Sequence, residues 1–318
     1  ICLDYERSHI EKMLMEYIKS GEKPDIVILQ WTFSLAFLAM LRKYFPDCKS
    51  IAIEEDVTFL GYMRKWRKAE SPYQKFFWKT RYKKIRNLET NWLKQVDLIV
   101  TNNPKDSALL VQNGLPEKKI FTSMPYFDDY SEVQRKIEGR NILFFGAMSR
   151  EENYLSAIWF VDNVMPKLQE LNVRFLIAGS NPPEILKKKE SESVKILGYT
   201  SDMAKYFSSC ICLVAPLKLG AGIKVKILEA MSAGIPVLTN EIGIEGIEAV
   251  NEKEYILCSS PDEYADSIRR LLSDQHLGEE LSLNSKRFIK KKYHMASRLD
   301  DLINIIENDL CVKENYIR

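Results

Sequence analysis

Residues 215–240 read APLKLGAGIKVKILEAMSAGIPVLTN, and this stretch decides the fold that the sequence predicts. It contains the end of an apolar strand, a loop of small residues, an amphipathic helix over residues 225–233 and a second apolar strand over residues 236–239. Gly220 and Gly222 allow the backbone to approach a ligand closely, and the helix start directs unpaired N–H groups and the positive end of its dipole at the same place. The stretch therefore predicts an anion site, most simply for a diphosphate, at the end of a strand.

Strands and helices alternate along the rest of the chain in the same way. Each strand is short and apolar throughout, as in a parallel sheet with both faces covered, and each helix has one apolar face. This alternation predicts an α/β protein with parallel sheets, and the second half is the clearer case of a doubly wound domain. The predicted strands are residues 25–31, 50–53, 97–101, 119–122, 141–146, 173–178, 194–197, 211–215 and 236–239.

The length of 318 residues suits two domains, and the composition indicates where they divide. Residues 127–140 are mostly polar, as in a linker, and the expected domains are residues 1–137 and 138–290. Residues 291–318 form a helical tail that we expect to cross back to the N-terminal domain. Because the sequence begins at Ile1, inside a helical pattern, we expect an N-terminal portion to be missing.

Composition and charge exclude several classes of function. The net charge is +2, from 46 Lys and Arg against 44 Asp and Glu, so the overall balance does not indicate a nucleic-acid partner. The six cysteines are scattered without CxxC pairs and the three histidines do not cluster with other ligands, so no metal site is predicted. No apolar run approaches the roughly 20 residues that span a bilayer. We expect a cytoplasmic protein with reduced cysteines.

Three charged side chains lie next to the glycine loop. Lys224 stands just before the helix, and Lys226 and Glu229 lie three residues apart on one helix face. Glu229 is placed to accept hydrogen bonds from the vicinal hydroxyls of a ribose, and the lysines add positive charge beside phosphates. The alternative is a tight strand-to-helix turn at Gly220 and Gly222 with a solvated Lys226–Glu229 pair, because short glycine motifs are weak signals on their own.

Residues 215–240 also resemble the donor signature of the GT-B retaining glycosyltransferases of group 1. The glycine loop, the acidic helix residue, the small residues at the helix end and the following Pro-Val strand all match. The resemblance extends over residues 142–272, with 144–148 as the first strand and loop, 177–181 as the next strand end and 197–202 as the loop for the nucleotide base. It implies two Rossmann-like domains facing a cleft, with the first strand of the N-terminal domain absent from this chain.

The resemblance further implies the reaction and its site residues. A nucleoside-diphosphate sugar is bound mainly by the C-terminal domain and an acceptor by the N-terminal domain, the anomeric configuration is retained, and no metal is essential. By position, Glu229 is implied to bind the ribose, and Gly220, Ala221, Gly222 and Ile223 the phosphates. The other implied donor-binding residues are Gly146, Met148, Gly179, Tyr199 and Thr200.

The chain departs from the family pattern in two places. Many members carry an acidic residue at the position of Ala221, which contacts the donor hexose, and an Arg and a Lys at the positions of Ala147 and Glu152, which clamp the diphosphate. One branch of the family shares the GAGxxxKxLEA form. The positive charge that binds the phosphates must then come from other residues, and Lys224 and Lys226 are the catalytic candidates. Hydrogen-bond donors fixed there stabilise the negative charge that grows on the diphosphate as the glycosidic bond breaks. A purely structural role for both lysines is the alternative.

The N-terminal half carries a cluster of acids. Glu54, Glu55 and Asp56 follow the predicted strand 50–53, where many members of the family have a His-Asp pair. A carboxylate at this strand end, with Asp56 as the candidate, would orient an acceptor hydroxyl or act as a base. Three acids after a strand are also found as ordinary loop residues, and this alternative stays open.

Residues 64–86 combine many Lys and Arg residues with aromatic residues and a single acid, Glu70. This pattern favours peripheral contact with an anionic membrane surface, where each cation adds about 1 kcal/mol. A solvated helix with buried aromatics is the plain alternative, and a nucleic-acid groove, which uses the same residue types, is not expected. Membrane contact agrees with a lipid-linked acceptor and with a position at the inner membrane face.

Together these features predict a glycosyltransferase that moves a hexose-type sugar from a nucleoside-diphosphate sugar to a glycan or lipid-linked acceptor, with retention, in cell-surface polysaccharide synthesis. No cofactor is expected. Two alternatives stay open. One is a GT-B sugar-nucleotide epimerase, which needs more acids and histidines around the donor loop. The other is a non-catalytic GT-B partner subunit, which the residues Ala147, Glu152 and Ala221 allow.

Overall fold

The computed structural model describes residues 4–293 and 295–309, which fall into two compact units. The first unit runs to Pro125 and takes in the C-terminal helix, and the second unit begins at Tyr126. The sequence-based boundary at 137–138 therefore lies too late in the chain. The polar segment before it belongs to the second unit because the backbone N–H groups of Lys136 and Glu138 donate to carbonyl oxygens of that unit.

The first unit contains a sheet of four parallel strands in the order β1-β2-β3-β4, counted over the described residues. These strands are β1 (Ile26–Gln30), β2 (Lys49–Glu54), β3 (Leu98–Thr101) and β4 (Ile120–Thr122). Their helices are α1 (Asp4–Ser20), α2 (Leu38–Tyr44), α3 (Thr58–Lys68), α4 (Pro72–Leu93), α5 (Pro104–Gln112) and, at the C-terminal end, α12 (Met295–Asp309). Short 3-10 helices cover Thr32–Phe37 and Glu117–Lys119.

The C-terminal helix α12 contributes to the apolar core of the first unit. It packs against residues of the central strands β2 and β3, although it is separated from them by the whole second unit in sequence. The contact joins Leu302, Ile305 and Ile306 of α12 to Ile51, Leu98 and Val100.

The second unit contains a sheet of six parallel strands in the described chain, in the order β10-β9-β8-β5-β6-β7. The strands are β5 (Asn141–Phe145), β6 (Arg174–Ala178), β7 (Val194–Gly198), β8 (Cys212–Ala215), β9 (Val237–Thr239) and β10 (Ile256–Leu257). The helices are α6 (Glu151–Asn163), α7 (Glu184–Lys187), α8 (Met203–Ser209), α9 (Val225–Ala233), α10 (Pro261–Ser273) and α11 (Gln275–Lys292), with a 3-10 helix over Met165–Leu171.

The strand order of the second sheet places a switch point between β5 and β8. On one side of this point the strands follow as β5, β6 and β7, and on the other as β8, β9 and β10. The two strands adjoin, and the chain leaves them for helices α6 and α9. Open α/β sheets of this order bind ligands at the carboxyl ends of the strands beside the switch point. The predicted doubly wound domain is therefore present, with a defined place for a ligand.

Two stretches with a helical pattern in the sequence are each divided in the structure. The helical pattern over residues 155–171 ends as α6 at Asn163 and continues as a 3-10 helix, because Pro166 lacks the N–H that an α-helix requires at that position. The basic stretch 64–86 belongs to two helices, α3 and α4. Pro72 begins α4, and the hydroxyl of Ser71 caps it by accepting from the N–H of Gln74.

Candidate functional site

Two helices begin beside the switch point of the second sheet. Helix α6 follows β5 and helix α9 follows β8, the two strands that adjoin there. Neither of the N-cap residues, Arg150 and Lys224, places a side-chain hydrogen bond on the N–H groups of the first turn. These N–H groups and the positive ends of both helix dipoles therefore lie at the carboxyl ends of β5 and β8, where they favour an anion.

The loop between β8 and α9 is held in shape by its own lysine. Gly220 and Gly222 have φ angles of 117° and 66°, which side chains other than glycine rarely tolerate. Lys224 folds back over the loop, and its Nζ donates to the carbonyl oxygens of Ala221 at 3.0 Å and Gly222 at 2.5 Å. Ala221 and Ile223 are half-buried. The ammonium of Lys224 thus donates hydrogen bonds to two carbonyl groups of the loop, and these bonds restrict the loop's conformation.

Lys226 extends from α9 to the end of β5. Its Nζ donates to Oδ1 of Asn153 at 2.7 Å and lies 4.7 Å from the ring centre of Phe144. A Cβ at Gly146 would come within 2.9 Å of the same Nζ, so a glycine leaves room for the ammonium. Burial, and then the charge of Arg150, lower the pKa of Lys226 to about 7. The ammonium of Lys226 therefore lies at the carboxyl end of β5, at the switch point.

Gly146 and Gly179 allow the loops after β5 and β6 to touch. A Cβ at Gly179 would lie 1.8 Å from the carbonyl oxygen of Gly146. Met148, in the loop after β5, is buried, and its N–H donates to the carbonyl oxygen of Ser180 at 2.9 Å. Gly179 and Met148 therefore hold the two loops together, and their implied role in donor binding stays a prediction.

Glu229 lies on the same helix as Lys226 but is surrounded differently. Its carboxylate accepts the backbone N–H of Asp128, and burial, helped by the charge of Asp128, raises its pKa to about 7. Lys226 lowers the pKa of Glu229, although less than burial raises it. A half-buried carboxyl group of this kind accepts hydrogen bonds from hydroxyl groups, as a ribose-binding residue must.

The residues implied to hold the base follow β7. Tyr199 is the first residue after that strand, and its side chain is 77% exposed. Thr200 next to it is half-buried. An exposed ring at a strand end offers a face on which a planar base stacks. Tyr199 lies in the second unit together with Lys226 and Glu229.

Asp56 lies in the first unit, half-buried between β2 and α3. Its charge raises the pKa of two neighbouring buried carboxyl groups, Glu54 and Glu89. Glu54 accepts from the hydroxyl of Thr32 at 2.8 Å. The carboxylate of Glu89 accepts from the first N–H groups of α3, at 2.8 and 2.9 Å. Thr32 lies between the two acids, with Glu89 at 3.4 Å.

Two of these residues are missed by sequence reasoning. Glu89 lies near the C-terminal end of α4, more than thirty residues after Glu54, Glu55 and Asp56, and a helix pattern gives no sign that it caps α3. Asn153 reads as an ordinary residue in the first turn of α6. One signal in the sequence could have pointed to Asn153. Ala147 and Glu152 replace the cations that many members of the family carry after the first strand, so a lysine from another helix, with a polar residue to hold it, is needed at that strand end.

Helices α3 and α4 form a hairpin, which we call the basic hairpin. Aromatic rings pack between the two helices, with Trp66 stacked on Tyr82 at 5.8 Å between ring centres. Two aromatic side chains near the start of α4 lie outside this packing, since Tyr73 is 77% and Phe76 is 73% exposed. The same two helices carry exposed cations, namely Arg67, Lys68, Lys75, Lys79, Arg81, Lys83, Lys84 and Arg86.

Two kinds of feature are missing from the part of the chain that the structure describes. No group of three or more His, Cys, Asp and Glu side chains there is arranged to hold a metal ion. In residues 4–293 and 295–309, every helix is too short or too polar to cross a membrane.

Residues 139–274, which contain the switch-point site, match the family model of Glycosyl transferases group 1. The second unit is a group 1 glycosyltransferase domain. An uncharacterized glycosyltransferase of Methanocaldococcus jannaschii is 24% identical over 230 residues, which cover 67% of this chain and 57% of that protein. The chain spans about half the length of the curated relatives it matches.

The chain is similar to solved structures of GT-B glycosyltransferases. Its fold is GT-B. HepE of Anabaena, in complex with UDP and glucose, superposes with a TM-score of 0.73 at 12% identity, over 93% of this chain and 81% of HepE. Sucrose-phosphate synthase of Thermosynechococcus elongatus gives a TM-score of 0.74 at 15% identity, over 96% of this chain and 78% of the synthase. At these identities the likeness concerns the fold.

Proposed function

We propose that the chain is a retaining glycosyltransferase that moves a hexose-type sugar from a nucleoside-diphosphate sugar to a glycan or lipid-linked acceptor in cell-surface polysaccharide synthesis. The reaction needs no metal. The observation that carries this proposal is the ammonium of Lys226 at the switch point of a group 1 domain, between the starts of two helices. The binding of UDP and glucose by the similarly folded HepE supports a nucleoside-diphosphate sugar as the donor.

The chemistry is stabilisation of the leaving group. As the bond between the anomeric carbon and the diphosphate breaks, negative charge grows on the phosphate oxygens, and the ammonium of Lys226 with the N–H groups of α6 and α9 stabilises it. Lys224 keeps the glycine loop in place. Glu229 accepts hydrogen bonds from the ribose, and Tyr199 stacks on the base. Asp56, in the first unit, orients the acceptor hydroxyl.

A donor screen tests the proposal. The purified protein is mixed with uridine, guanosine and adenosine diphosphate sugars, and thermal unfolding is measured with and without a divalent cation and a chelator. Release of nucleoside diphosphate by slow hydrolysis, in which water takes the sugar in place of the acceptor hydroxyl, is measured in the same mixtures. One donor class is expected to raise the unfolding temperature and to be consumed at the same rate in chelator, because a ligand that binds only the folded state stabilises it. Binding without turnover supports a non-catalytic subunit, and conversion of the sugar without release of the diphosphate supports an epimerase.

Substitutions separate the roles of the two lysines. Lys226→Met is expected to lower kcat about 100-fold, since it removes a donor to the leaving group. Lys224→Met is expected mainly to raise KM, since it loosens the loop. Lys195→Met, at an exposed position on β7, is the matched control and leaves both constants unchanged. Unchanged turnover in Lys226→Met would remove this lysine from the mechanism.

We further propose that the protein works at the inner face of the membrane and binds it through the basic hairpin. Tyr73 and Phe76 are large apolar side chains exposed among cations, which is the composition of an interfacial anchor. Aromatic rings of α3 pack against aromatic rings of α4, and this packing holds together the two helices that carry Tyr73, Phe76 and the cations. Contact with anionic headgroups would bring the protein to lipid-linked acceptors.

Co-sedimentation with vesicles tests membrane contact. Vesicles of phosphatidylcholine and phosphatidylglycerol are expected to bind the protein, and vesicles of phosphatidylcholine alone are not. The double variant Tyr73→Ser/Phe76→Ser is expected to lose about tenfold in partitioning, because two apolar side chains are removed from the interface. Tyr126→Ser, at a tyrosine that is 73% exposed in the second unit, is the control. Equal binding to both kinds of vesicle, or an unaffected double variant, would exclude this surface.

A further inference from the structure

The partner of Lys226 is a neutral amide that is fixed at both ends. Oδ1 of Asn153 accepts from Nζ of Lys226 at 2.7 Å, and Nδ2 of Asn153 donates to the carbonyl oxygen of Ala147 at 2.9 Å. The side chain is buried, with 6% exposure. Because a carbonyl oxygen cannot accept from another carbonyl, the bond to Ala147 dictates which way the amide faces. Asn153 therefore presents its oxygen to the ammonium.

Lys226 lacks an ion-pair partner among the described residues. The charged groups around it come from α6 and α9 and their N-caps, namely Arg150, Glu152, Lys224 and Glu229. Glu152 is paired with Arg150 at 2.6 Å, and the carboxylate of Glu229 accepts from the backbone of Asp128. From β5, Phe144 contributes only its ring. The ammonium of this half-buried lysine is held by an amide and a ring, so its charge stays uncompensated.

We propose that Asn153 is a positioning residue that fixes the ammonium of Lys226 beside Gly146 without neutralising it, so that the diphosphate of the donor supplies the missing counter-charge. This inference rests on the proposed function. A carboxylate in place of the amide would hold the lysine equally well, but it would compete with the phosphates for the same ammonium. The neutral partner therefore keeps the cation available for the ligand.

Proton uptake follows from this arrangement. With a pKa of about 7, Lys226 is only partly protonated at neutral pH in the free protein. A bound diphosphate favours the ammonium form and raises this pKa, so binding takes up a proton. Donor affinity is then expected to fall as the pH rises above about 7, by up to about tenfold for each pH unit until the pKa of the complex is reached.

Calorimetry of donor binding tests the inference. The probe is UDP-glucose, or the guanosine or adenosine diphosphate sugar that binds most tightly, because its diphosphate diester does not titrate near neutral pH. Titrations at about pH 7 in two buffers of different ionisation enthalpy are expected to show uptake of a fraction of a proton, and titrations from about pH 6 to 9 the loss of affinity. Lys226→Arg is expected to remove the share of both effects that comes from Lys226, because arginine stays charged; Glu229, whose pKa is also about 7, titrates in the variant as in the wild type.

Variants at Asn153 test whether it positions the ammonium of Lys226. Asn153→Asp is expected to weaken binding about tenfold at low pH and to shift the fall in affinity upward by at least about one pH unit, because a carboxylate raises the pKa of Lys226. Asn163→Asp is the matched control, because it makes the same chemical change at the exposed end of α6, and it keeps the wild-type pH profile. Circular dichroism confirms that each variant is folded.

The possible outcomes separate this inference from the proposed function. If the wild-type protein binds no nucleotide sugar, both are wrong. If it binds and turns over a donor with an affinity that is independent of pH, only the proton-coupled role is wrong. If Asn153→Asp follows the wild-type pH profile, Asn153 is a structural residue and not a positioning residue. If Lys226→Arg keeps the whole fall in affinity, the fall comes from another group, such as Glu229, and the proton-coupled role of Lys226 is wrong.

Discussion

Glu54 and Glu89 form a buried carboxyl pair in the first unit. Burial and the neighbouring Glu89 raise the pKa of Glu54 well above its ordinary value, and burial raises that of Glu89 to about 8. Glu89 accepts from two backbone N–H groups of α3, which favours its charged form. Glu54 accepts only from Thr32 in the described contacts, and its Oε1 is buried without a partner there. Of the two carboxyl groups, Glu54 is therefore the one that is more readily protonated.

The stability of the first unit is expected to depend on this proton. A carboxyl group with a raised pKa in the folded state favours folding only while it is protonated, so stability falls as the pH rises above the ordinary value of 4.5 until the raised pKa of Glu54 is reached. Glu54→Gln cannot ionise. Above about pH 5 the variant is expected to gain up to about 1.4 kcal/mol for each pH unit relative to the wild type, until the raised pKa of Glu54 is reached, measured by urea unfolding at each pH. Parallel curves for variant and wild type would contradict this, and Glu117→Gln, at an exposed acid of the same unit, is the control.

At the scale of single residues, the sequence predicts the charged groups of the site better than their contacts. Lys224 and Lys226 look equivalent in sequence, but Lys224 binds the carbonyl groups of its own loop and Lys226 extends to Asn153. The difference depends on which rotamer each side chain takes once β5 and β8 adjoin. The pairing of Asn153 with Lys226 joins residues 73 positions apart, so it arises only from the strand order.

At the scale of elements, the ends of β5 and β6 depend on two glycines. The N–H of Gly146 donates to Ala178 at 3.0 Å, and the N–H of Gly179 donates to Gly198 at 2.7 Å, which draws the three strand ends together. The carbonyl oxygen of Gly146 then occupies the space where a Cβ of residue 179 would lie. The glycine at the end of β6 is thus required by packing, whether or not it also contacts a ligand.

Two alanine substitutions test this requirement. Gly179→Ala is expected to cost more than about 3 kcal/mol, because its Cβ would lie 1.8 Å from a backbone oxygen that can move only with β5. Gly198→Ala is the matched control, since it also has a positive φ, of 68°, but its Cβ would meet nothing within 4 Å. Its expected cost is about 1 kcal/mol from backbone strain alone. Equal losses in urea unfolding would show that the contact with Gly146 relaxes freely.

The sequence predicts most elements of both sheets because their strands read as short apolar runs, and the central strands β3 and β8 are buried at every position. Its errors come from features that the periodicity of side chains does not encode. The apolar pattern over residues 155–171 continues past Pro166, while the backbone changes there to a 3-10 helix. The basic stretch 64–86 has one composition, but it is divided between α3 and α4, and the turn between them is what exposes Tyr73 and Phe76.

At the scale of the whole molecule, polarity is a poor guide to the domain boundary. The segment before residue 138 is polar, as a linker should be, yet its backbone and side chains bind the second unit. The guanidinium of Arg135 donates to the carbonyl oxygens of Phe207 and Ile211, and Lys286 donates to Ser131 and Val133. A polar segment satisfies its hydrogen bonds on a neighbouring surface as readily as in water, and composition does not distinguish the two.

The helix α12 makes the first unit discontinuous in sequence, with consequences for how the chain is made. A ribosome releases β2 and β3 early, then the whole second unit, and only afterwards the helix that covers Ile51 and Val100 in the described structure. Domains generally fold as units during synthesis, at roughly 5–20 residues per second. The second unit can fold as soon as it has left the ribosome. The first unit lacks α12 for several seconds or more, and part of its core stays uncovered during that time. The first unit therefore completes its core only after the second unit has been synthesised, and the face left uncovered until then is a natural point of contact for chaperones.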